Sequence, residues 1–196
     1  MRRIPSDEPV VEAEGLVLRA WREDDVPTMV ALFDTAEMDR WTPLPSPFDE
    51  AVARAYVERA RAARADGTWQ LAITLGGGAA LGEVLLFPTE QEGMCELAYA
   101  VGASHRGRSL GARAVRAVLE LARQLGYEQA RLRVAVDNVP SRRVAEASGF
   151  ALTGRTHQPG RAWRRNFTAS FSVISTGAAS PKSSSSGVKR WWSGNG

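Results

Sequence analysis

Apolar residues are concentrated in three short consecutive segments near the middle of the chain, at residues 68–75, 79–87 and 94–101. The gaps between them are Gly76-Gly-Gly78 and Pro88-Thr-Glu-Gln-Glu-Gly93. Both gaps are short and contain turn-forming residues. The pattern therefore predicts three strands joined as an antiparallel meander.

On either side of this meander, apolar residues recur with helical spacing. Each of these segments has a start or stop signal, such as first-turn acids with an early proline, a capping Asp or Asn, or a terminal Gly. Helices are predicted over about residues 23–33, 49–65, 111–125 and 138–147, the last beginning at Asn138 or Ser141 and ended by Gly149.

Four further segments have the short apolar pattern of strands, at residues 15–21, 131–136, 150–153 and 166–174. The strand 131–136 follows a helical crossover, so it is expected to lie parallel to the strand that ends at Val101. The predicted order is β-α-α-β-β-β-α-β-α-β-β. It corresponds to an α/β (α+β) fold with a mixed, mostly antiparallel sheet of about seven strands and helices on both faces.

The two ends of the chain differ from the rest in composition. Residues 1–14 are polar and contain two prolines, which predicts a loose N-terminal arm. Residues 178–196 are rich in Ser and Gly and contain no acid, which predicts a disordered tail. The 196-residue chain is 44% hydrophobic and 24% charged, so residues 15–177 are expected to form one globular domain.

The formal net charge of +3 comes from the tail, which has three basic residues and no acidic one. Residues 1–177 are therefore formally neutral. A neutral body argues against an extended contact with a nucleic-acid backbone.

Several other classes of protein lack support in the sequence. No apolar run is long enough to span a membrane. Arg2 and Arg3 have no apolar segment behind them, so the N-terminus is not expected to be a secretory signal. A single cysteine, Cys95, fits a reducing compartment such as the cytoplasm, and its apolar surroundings suggest a small core residue. His105 and His157 are far apart and have no partner cysteines, so no metal site is expected.

The segment from Val101 to Val115 joins a strand to a helix through a turn rich in Gly, Ser and Arg. Backbone N–H groups at a helix N-terminus suit a phosphate or pyrophosphate. Arg106, Arg108 and Arg113 add positive charge at the same place. The alternative is an ordinary strand–turn–helix whose arginines are solvated.

Two motifs in this order resemble those of the GNAT acetyltransferase superfamily. Arg106-Gly-Arg-Ser-Leu-Gly111 resembles its acetyl-CoA-binding motif, Arg/Gln-x-x-Gly-x-Gly/Ala, with Ser109 in place of the central Gly. The segment from Asn138 to Phe150 resembles the next motif, an Asn…Ser…Gly-Phe helix. The region around Trp41 and the stretch at residues 96–99 look most like the ribosomal-protein alanine N-acetyltransferase (Rim-type) branch.

The resemblance covers residues 15–174 and implies where acetyl-CoA binds. The strands ending at Val101 and Val136 should part in a V-shaped opening that takes the pantetheine arm, with the pyrophosphate on the turn. Ser109 is tolerable there only if its backbone needs no positive φ. The implied cofactor-binding residues are Tyr99, Val101, Arg106, Gly107, Arg108, Ser109, Leu110, Gly111, Ala112, Asn138 and Ser141.

The implied reaction is direct attack of a primary amine on the thioester, the amine belonging to a protein N-terminus or a small molecule. It needs a base for the amine proton, for which Glu96 is the first candidate because its strand is expected to be central. The alternative is that Glu96 pairs with Arg131 or Arg133 on the adjacent strand. Glu83 and Glu92 are lesser candidates.

The charge that develops on the carbonyl oxygen needs a donor, for which a backbone N–H near residues 99–101 is suited. The leaving thiolate needs a proton. Many superfamily members use a tyrosine four residues before the Gly of Gly-Phe, but that position here is Ala145. The Rim-type resemblance gives the role to Ser141, and solvent is the alternative. Asn138 is expected to hold the pantetheine amide, although Asn138 and Ser141 are also ordinary helix-start residues.

The sequence is also compatible with two other functions. Gly102-Ala-Ser-His-Arg-Gly-Arg-Ser109 matches a P-loop except for Arg in place of Lys, and Asp137 could follow as the metal-binding acid. A P-loop, however, normally follows the first strand of a parallel sheet. The second rival is an acyl-CoA-binding sensor with the same fold and no catalysis.

The acceptor is expected to lie against the first two helices, the Trp41 loop and the loop at residues 158–163. No residue pattern in these segments selects between a protein N-terminus and a small amine. The chain is expected to act as a monomer or homodimer.

Overall fold

A computed structural model of the chain describes residues 9–156 and 164–170. Strands and helices in this part follow one another in the predicted order, with one additional strand and one additional helix. The strands are β1 (Val10–Ala13), β2 (Leu16–Ala20), β3 (Trp69–Thr74), β4 (Ala80–Pro88), β5 (Met94–Val101), β6 (Gln129–Ala135), β7 (Ala151–Thr156) and β8 (Arg164–Ser170). The α-helices are α1 (Val26–Phe33), α2 (Ala36–Trp41), α3 (Glu50–Ala63), α4 (Leu110–Gln124) and α5 (Val139–Ala147).

The described strands form one eight-stranded sheet in the order β1-β2-β3-β4-β5-β6-β8-β7. Neighbouring strands are antiparallel except β5 and β6, which are parallel. The predicted mixed sheet with one central parallel pair is confirmed, with eight strands where about seven were expected.

The additional strand, β1, lies in the segment that the sequence predicts to be a loose arm, so that prediction is wrong for residues 10–13. β1 pairs with β2 from Val10↔Arg19 to Ala13↔Leu16. Glu14 and Gly15 connect the two strands, and both have positive φ angles, 56° and 68°. A two-residue turn with this geometry matches the twist of a hairpin and fixes its register.

The sheet has a hydrophobic layer on each face, as predicted. α4 packs on one face through residues such as Val115 and Val118, which contact β-strand residues such as Leu97. α1 and α3 cover the other face, where Phe33 and Tyr56 are buried. Helices therefore cover both faces of the sheet in the described part of the chain.

The short helix α2 is the second element that the sequence pattern did not predict. The hydroxyl of Thr35 accepts a hydrogen bond from the Met38 N–H and caps its first turn. The helix ends at Trp41, just before Pro43, which cannot continue it with a backbone N–H. α2 therefore brings Trp41 to the sheet from a helix end rather than from within a loop.

The parallel pair separates partway along its length. β5 and β6 pair from Met94↔Gln129 to Leu97↔Leu132, yet β5 continues to Val101 and β6 to Ala135. Beyond the last pair, β5 stays bonded to β4, and β6 to β8. The result is the predicted V-shaped opening in the sheet.

The same topology argues against a P-loop. The turn at residues 102–109 follows β5, whose other neighbour β4 is antiparallel. It does not follow the first strand of a parallel sheet, the position that a P-loop requires. Within the described ranges, no helix is long and apolar enough to cross a membrane.

Candidate functional site

A cavity of about 310 Å³ lies where β5 and β6 part. Its wall is built from β4, β5 and β6, from α2, α3 and α5, and from the turn that leads into α4. The cavity therefore joins the turn that resembles an anion site to the helix-covered face where α1 and α3 pack.

The turn between β5 and α4 presents backbone donors to this cavity. Gly107 and Ser109 have positive φ angles of 75° and 55°, and α4 begins at Leu110. Its first backbone bond runs from the Arg113 N–H to the Ser109 carbonyl. The N–H groups of residues 110–112 are thus first-turn donors, which a helix leaves without an internal acceptor.

Ser109 does not meet the condition under which a serine was expected to be tolerated. Its φ of 55° lies in the left-handed region, where an L-residue costs about 1–2 kcal/mol relative to the right-handed one. Ser109 lines the cavity. The chain therefore keeps local backbone strain at the position where the motif has glycine.

The three arginines of the turn have different roles. Arg106 lines the cavity and binds both carboxylate oxygens of Glu37 at 2.7 and 2.8 Å. Arg113 instead donates to the carbonyl oxygens of residues 14 and 15, at 2.8 and 2.9 Å, and so anchors the β1–β2 turn. Arg108 is exposed and is not part of the cavity wall.

Tyr99, Ser141 and Asn138 meet at the mouth of the opening. The Tyr99 hydroxyl donates to Ser141 Oγ at 3.0 Å. Asn138 caps α5, its Oδ1 accepting from the Ser141 N–H at 3.1 Å. All three residues line the cavity, and burial raises the pKa of Tyr99 to about 12.

Gly111 provides the space that this arrangement needs. A Cβ atom on Gly111 would lie 2.9 Å from Cε2 of the Tyr99 ring, closer than real Cβ atoms come. The last glycine of the motif therefore lets the Tyr99 ring pack on α4. Ala145, which stands where many superfamily members have tyrosine, is fully buried.

Glu96, the first candidate for the base, lies outside the cavity wall and is ion-paired. Its carboxylate is fully buried and binds Arg131 Nη2 at 2.9 Å and Arg133 Nε at 2.6 Å. Of these three residues only Arg133 belongs to the cavity wall. The alternative expected from the sequence, an ion pair with arginines of the adjacent strand, is what the structure contains.

Glu83, one of the two lesser candidates for the base, does border the cavity. It is 4% exposed, and its Oε2 accepts a hydrogen bond from the Tyr56 hydroxyl at 2.7 Å. Burial raises its pKa to about 7, an effect that Tyr56 and the Trp21 indole N–H partly offset. The Trp21 N–H lies near this carboxyl but has no hydrogen-bond partner of good geometry. Glu92, the other lesser candidate, is exposed in the β4–β5 turn and outside the cavity wall.

Cys95, Trp41 and the loop at residues 158–163 are the other features that the sequence singled out. Cys95 is fully buried, and burial raises the pKa of its thiol to about 12, as suits a core residue. Trp41 lines the cavity, with the Arg40 guanidinium stacked 4.3 Å from its ring centroid. The loop at residues 158–163 lies outside the described residues. In the part of the chain that is described, no three His, Cys, Asp or Glu residues are grouped as metal ligands.

Comparison with known proteins identifies both a family and a fold. The family model described as "Acetyltransferase (GNAT) domain" matches residues 15–151, more than half of the chain. No curated protein sequence matches the chain significantly.

Among solved structures, RimJ of Mycobacterium smegmatis in complex with CoA-disulfide superposes with a TM-score of 0.72. Its identity to this chain is 17%, over 84% of this chain and 88% of that chain. RimL, described as a ribosomal L7/L12 alpha-N-protein acetyltransferase, gives 0.73 at 18% identity, over 84% and 95%. A putative ribosomal-protein-serine acetyltransferase from Vibrio cholerae gives 0.71 at 16% identity, over 85% and 99%. At these identities the shared property is the fold.

Proposed function

Because the chain belongs to the GNAT acetyltransferase family, we propose that it transfers an acetyl group from acetyl-CoA to a primary amine. The observation that carries the proposal is Glu83, a carboxyl group inside the cavity with its pKa raised to about 7. A base with a pKa near the working pH is well suited to proton transfer. The M. smegmatis RimJ structure, which shares the fold, contains CoA.

The turn fits the pyrophosphate of acetyl-CoA. The first-turn N–H groups of α4 are free of internal acceptors, and a Cβ added at Gly107 would meet nothing within 4 Å, so the turn has open space beside it. Arg106 adds a cation in the same wall. Acetyl-CoA would supply the acetyl donor as a thioester.

The parted strands fit an extended arm with amide groups. The Gly102 N–H donates to the Leu81 carbonyl across β4 and β5. Because backbone direction alternates along a strand, Tyr99 and Val101 turn their backbone groups toward the opening. The Tyr99 groups and the Val101 N–H can pair with the arm and supply a donor for the charge that develops on the carbonyl oxygen. The Val101 carbonyl already accepts from the Arg106 guanidinium at 3.4 Å. The side-chain NH₂ of Asn138 can donate to an amide oxygen of the arm.

Glu83 is assigned the role of base. In its ionised form it removes the proton from the attacking amine as the N–C bond forms and the C–S bond breaks. Tyr56 donates to one oxygen of this carboxyl, which fixes its orientation and leaves the other oxygen for the amine. Tyr56 is therefore a positioning residue.

Ser141 is assigned to the leaving sulfur. The Tyr99 hydroxyl donates a hydrogen bond to Ser141 Oγ. The serine O–H therefore points elsewhere and can donate a hydrogen bond to the sulfur. The pKa of Tyr99, about 12, lies above that of an ordinary thiol at about 8.5, so Tyr99 is not the net source of a proton. Tyr99 orients Ser141, and solvent supplies the proton.

The test is acetyl-CoA turnover against a panel of small amines and peptides with free N-termini, measured by CoA release. Removing a general base lowers the rate by about 10²–10⁴-fold, so Glu83→Gln should lose this much kcat/KM and the rise in rate near pH 7. Glu92→Gln, the same exchange at an exposed glutamate outside the cavity, is the matched control.

Two outcomes contradict the proposal. Full activity of Glu83→Gln across the pH range would remove Glu83 from the mechanism. Binding of acetyl-CoA without acetylation of any amine would instead favour the acyl-CoA sensor.

A further inference from the structure

We propose, on the basis of the proposed function, that the acceptor is a primary amine that carries one apolar or aromatic group next to its nitrogen. This acceptor has no second positively charged group. The proposal follows from the wall of the cavity around Glu83. It names the chemistry beside the amine and leaves open whether that amine belongs to a free small molecule or to an N-terminal residue.

The wall around Glu83 is apolar. Glu83, Leu85 and Phe87 alternate along β4 and therefore share one face of the strand. The segment that starts with α2 adds Met38 and Leu44 to the same cavity. An amine that delivers its nitrogen to Glu83 thus places its neighbouring carbon atoms against hydrocarbon, where burial is favourable.

The charges in the wall disfavour a second ammonium group. Glu37 and Glu83 are the acids among the described lining residues. Both oxygens of Glu37 are bound by Arg106, and Glu83 serves the reacting amine. Arg133 also lines the cavity, and its charge is already balanced by buried Glu96. A second cation would be desolvated there, and no carboxylate among the described lining residues is left to pair with it.

The size of the cavity limits the apolar group. Its volume of about 310 Å³ is near the lower end of the range of about 300–1,000 Å³ for ligand pockets. The reacting end of the acetyl donor must occupy part of that space. The remainder suits one side-chain-sized group next to the amine.

The experiment compares amines of equal size in pairs that differ only in polarity. Hexylamine is paired with 1,5-diaminopentane, in which an ammonium group replaces the terminal methyl. The peptide Leu-Gly-Gly is paired with Asn-Gly-Gly. We expect kcat/KM to be at least about tenfold higher for the apolar member of at least one pair. The pair that responds identifies the source of the amine.

A variant tests whether the wall sets this preference. Leu44→Glu adds a carboxylate to the wall at a half-buried position and should reduce the hexylamine preference by about tenfold or more. Leu75→Glu is the matched control, because Leu75 is 40% exposed and outside the cavity. Circular dichroism of both variants verifies that they fold, and the paired amines on the unmodified protein test the proposal independently of any variant.

Calorimetric binding of each amine to the CoA-bound protein separates this inference from the proposed function. Tight binding of apolar amines without turnover upholds the acceptor chemistry and overturns the acetyl transfer. Turnover at equal or higher rates for 1,5-diaminopentane and Asn-Gly-Gly upholds the acetyl transfer and overturns the acceptor chemistry. An unchanged preference in folded Leu44→Glu also contradicts the inference.

Discussion

Glu83 and Glu96 are glutamates in neighbouring apolar strands, and their cross-strand partners determine their different states. Glu83 lies opposite Ala72 on β3 and Ala100 on β5, so no basic group is beside it in the ladder. Glu96 lies opposite Arg131 in the parallel pair and also binds Arg133. One carboxyl is therefore held near neutral pKa by burial, and the other is ion-paired.

The raised pKa of Glu83 makes the stability of the free protein depend on pH. Its folded-state pKa of about 7 exceeds its ordinary value of 4.5, so the folded state favours the protonated form. The contribution is fully present below about pH 4.5 and is lost as pH rises through 7. The loss is about 3 kcal/mol by linkage.

Glu83→Gln should therefore flatten this pH dependence. The difference in unfolding free energy between variant and parent, measured by urea denaturation from pH 4.5 to 8, should move in favour of the variant as pH rises. A difference that stays constant over that range would mean that the carboxyl is ionised throughout.

Ser109 offers a second test at the residue scale. Ser109→Gly removes the strain of a positive φ but makes the unfolded chain more flexible, for a net stabilisation of about 0.5–1 kcal/mol. Denaturant unfolding measures this change. Ser109→Ala, which keeps the strain and loses only the hydroxyl, is the control and should not stabilise the protein.

At the scale of elements, α4 and β5 are fitted together at Gly111. Gly111→Ala should displace the Tyr99 ring, break its hydrogen bond to Ser141 and lower kcat by about tenfold or more, while helix propensity alone favours Ala. Steady-state kinetics measures the effect. Gly154→Ala, at a β7 glycine with nothing within 4 Å of the added Cβ, should leave kcat unchanged.

The short helix α2 is tied to both sides of the opening. Glu37 binds Arg106 on the β5 side, and Arg40 binds Asp137 on the β6 side at 3.1 Å. Both pairs are exposed and contribute little to stability. Their effect is instead to hold Trp41, which ends α2, over the cavity.

Glu37→Gln should release Arg106 for the pyrophosphate and lower the Kd for acetyl-CoA several-fold, with a stability change below about 1 kcal/mol. Isothermal titration measures the Kd. Glu50→Gln, which removes an exposed partner of Arg54 away from the cavity, is the control. Weaker binding by Glu37→Gln would mean that the pair holds Arg106 in place for the ligand.

At the scale of the whole molecule, sequence patterns predict the elements whose signals are local. The meander strands, the Asp49 cap of α3 and the Asn138 cap of α5 all follow from short-range chemistry. β1 was missed because its stability comes from pairing with β2 and from the turn anchored by Arg113. α2 was missed because six residues carry too little periodicity.

The candidate site was predicted less completely, for a related reason. The turn and the Asn138–Ser141 segment are contiguous motifs, and most of the residues named from them line the cavity, with Arg108 outside it. The choice between Glu96 and Glu83 depends on strand register, which brings Arg131 beside one and alanines beside the other. An acid within the apolar run of β4 was the available signal for Glu83.

The ion pairs of Glu96 lie at the vertex of the V-shaped opening. Arg131 is one step before the last paired residues, Leu97 and Leu132, and Arg133 is one step beyond them. Breaking a buried ion pair from one side costs about 3–5 kcal/mol. Glu96→Gln should therefore lower the unfolding free energy by about this amount in urea denaturation. A change below about 1 kcal/mol would mean that the ion pairs do not stabilise the vertex.

This vertex limits how deeply a ligand can enter between β5 and β6. Residues 98–101 of β5 lie beyond the last pair with β6, a length of roughly 13 Å at about 3.3 Å per residue. A ligand arm that enters between the strands can go no deeper than the last strand pair, Leu97 and Leu132. The position of its reactive end is thereby fixed by the number of residues that remain unpaired, so adding or removing one strand pair would shift it by one residue length.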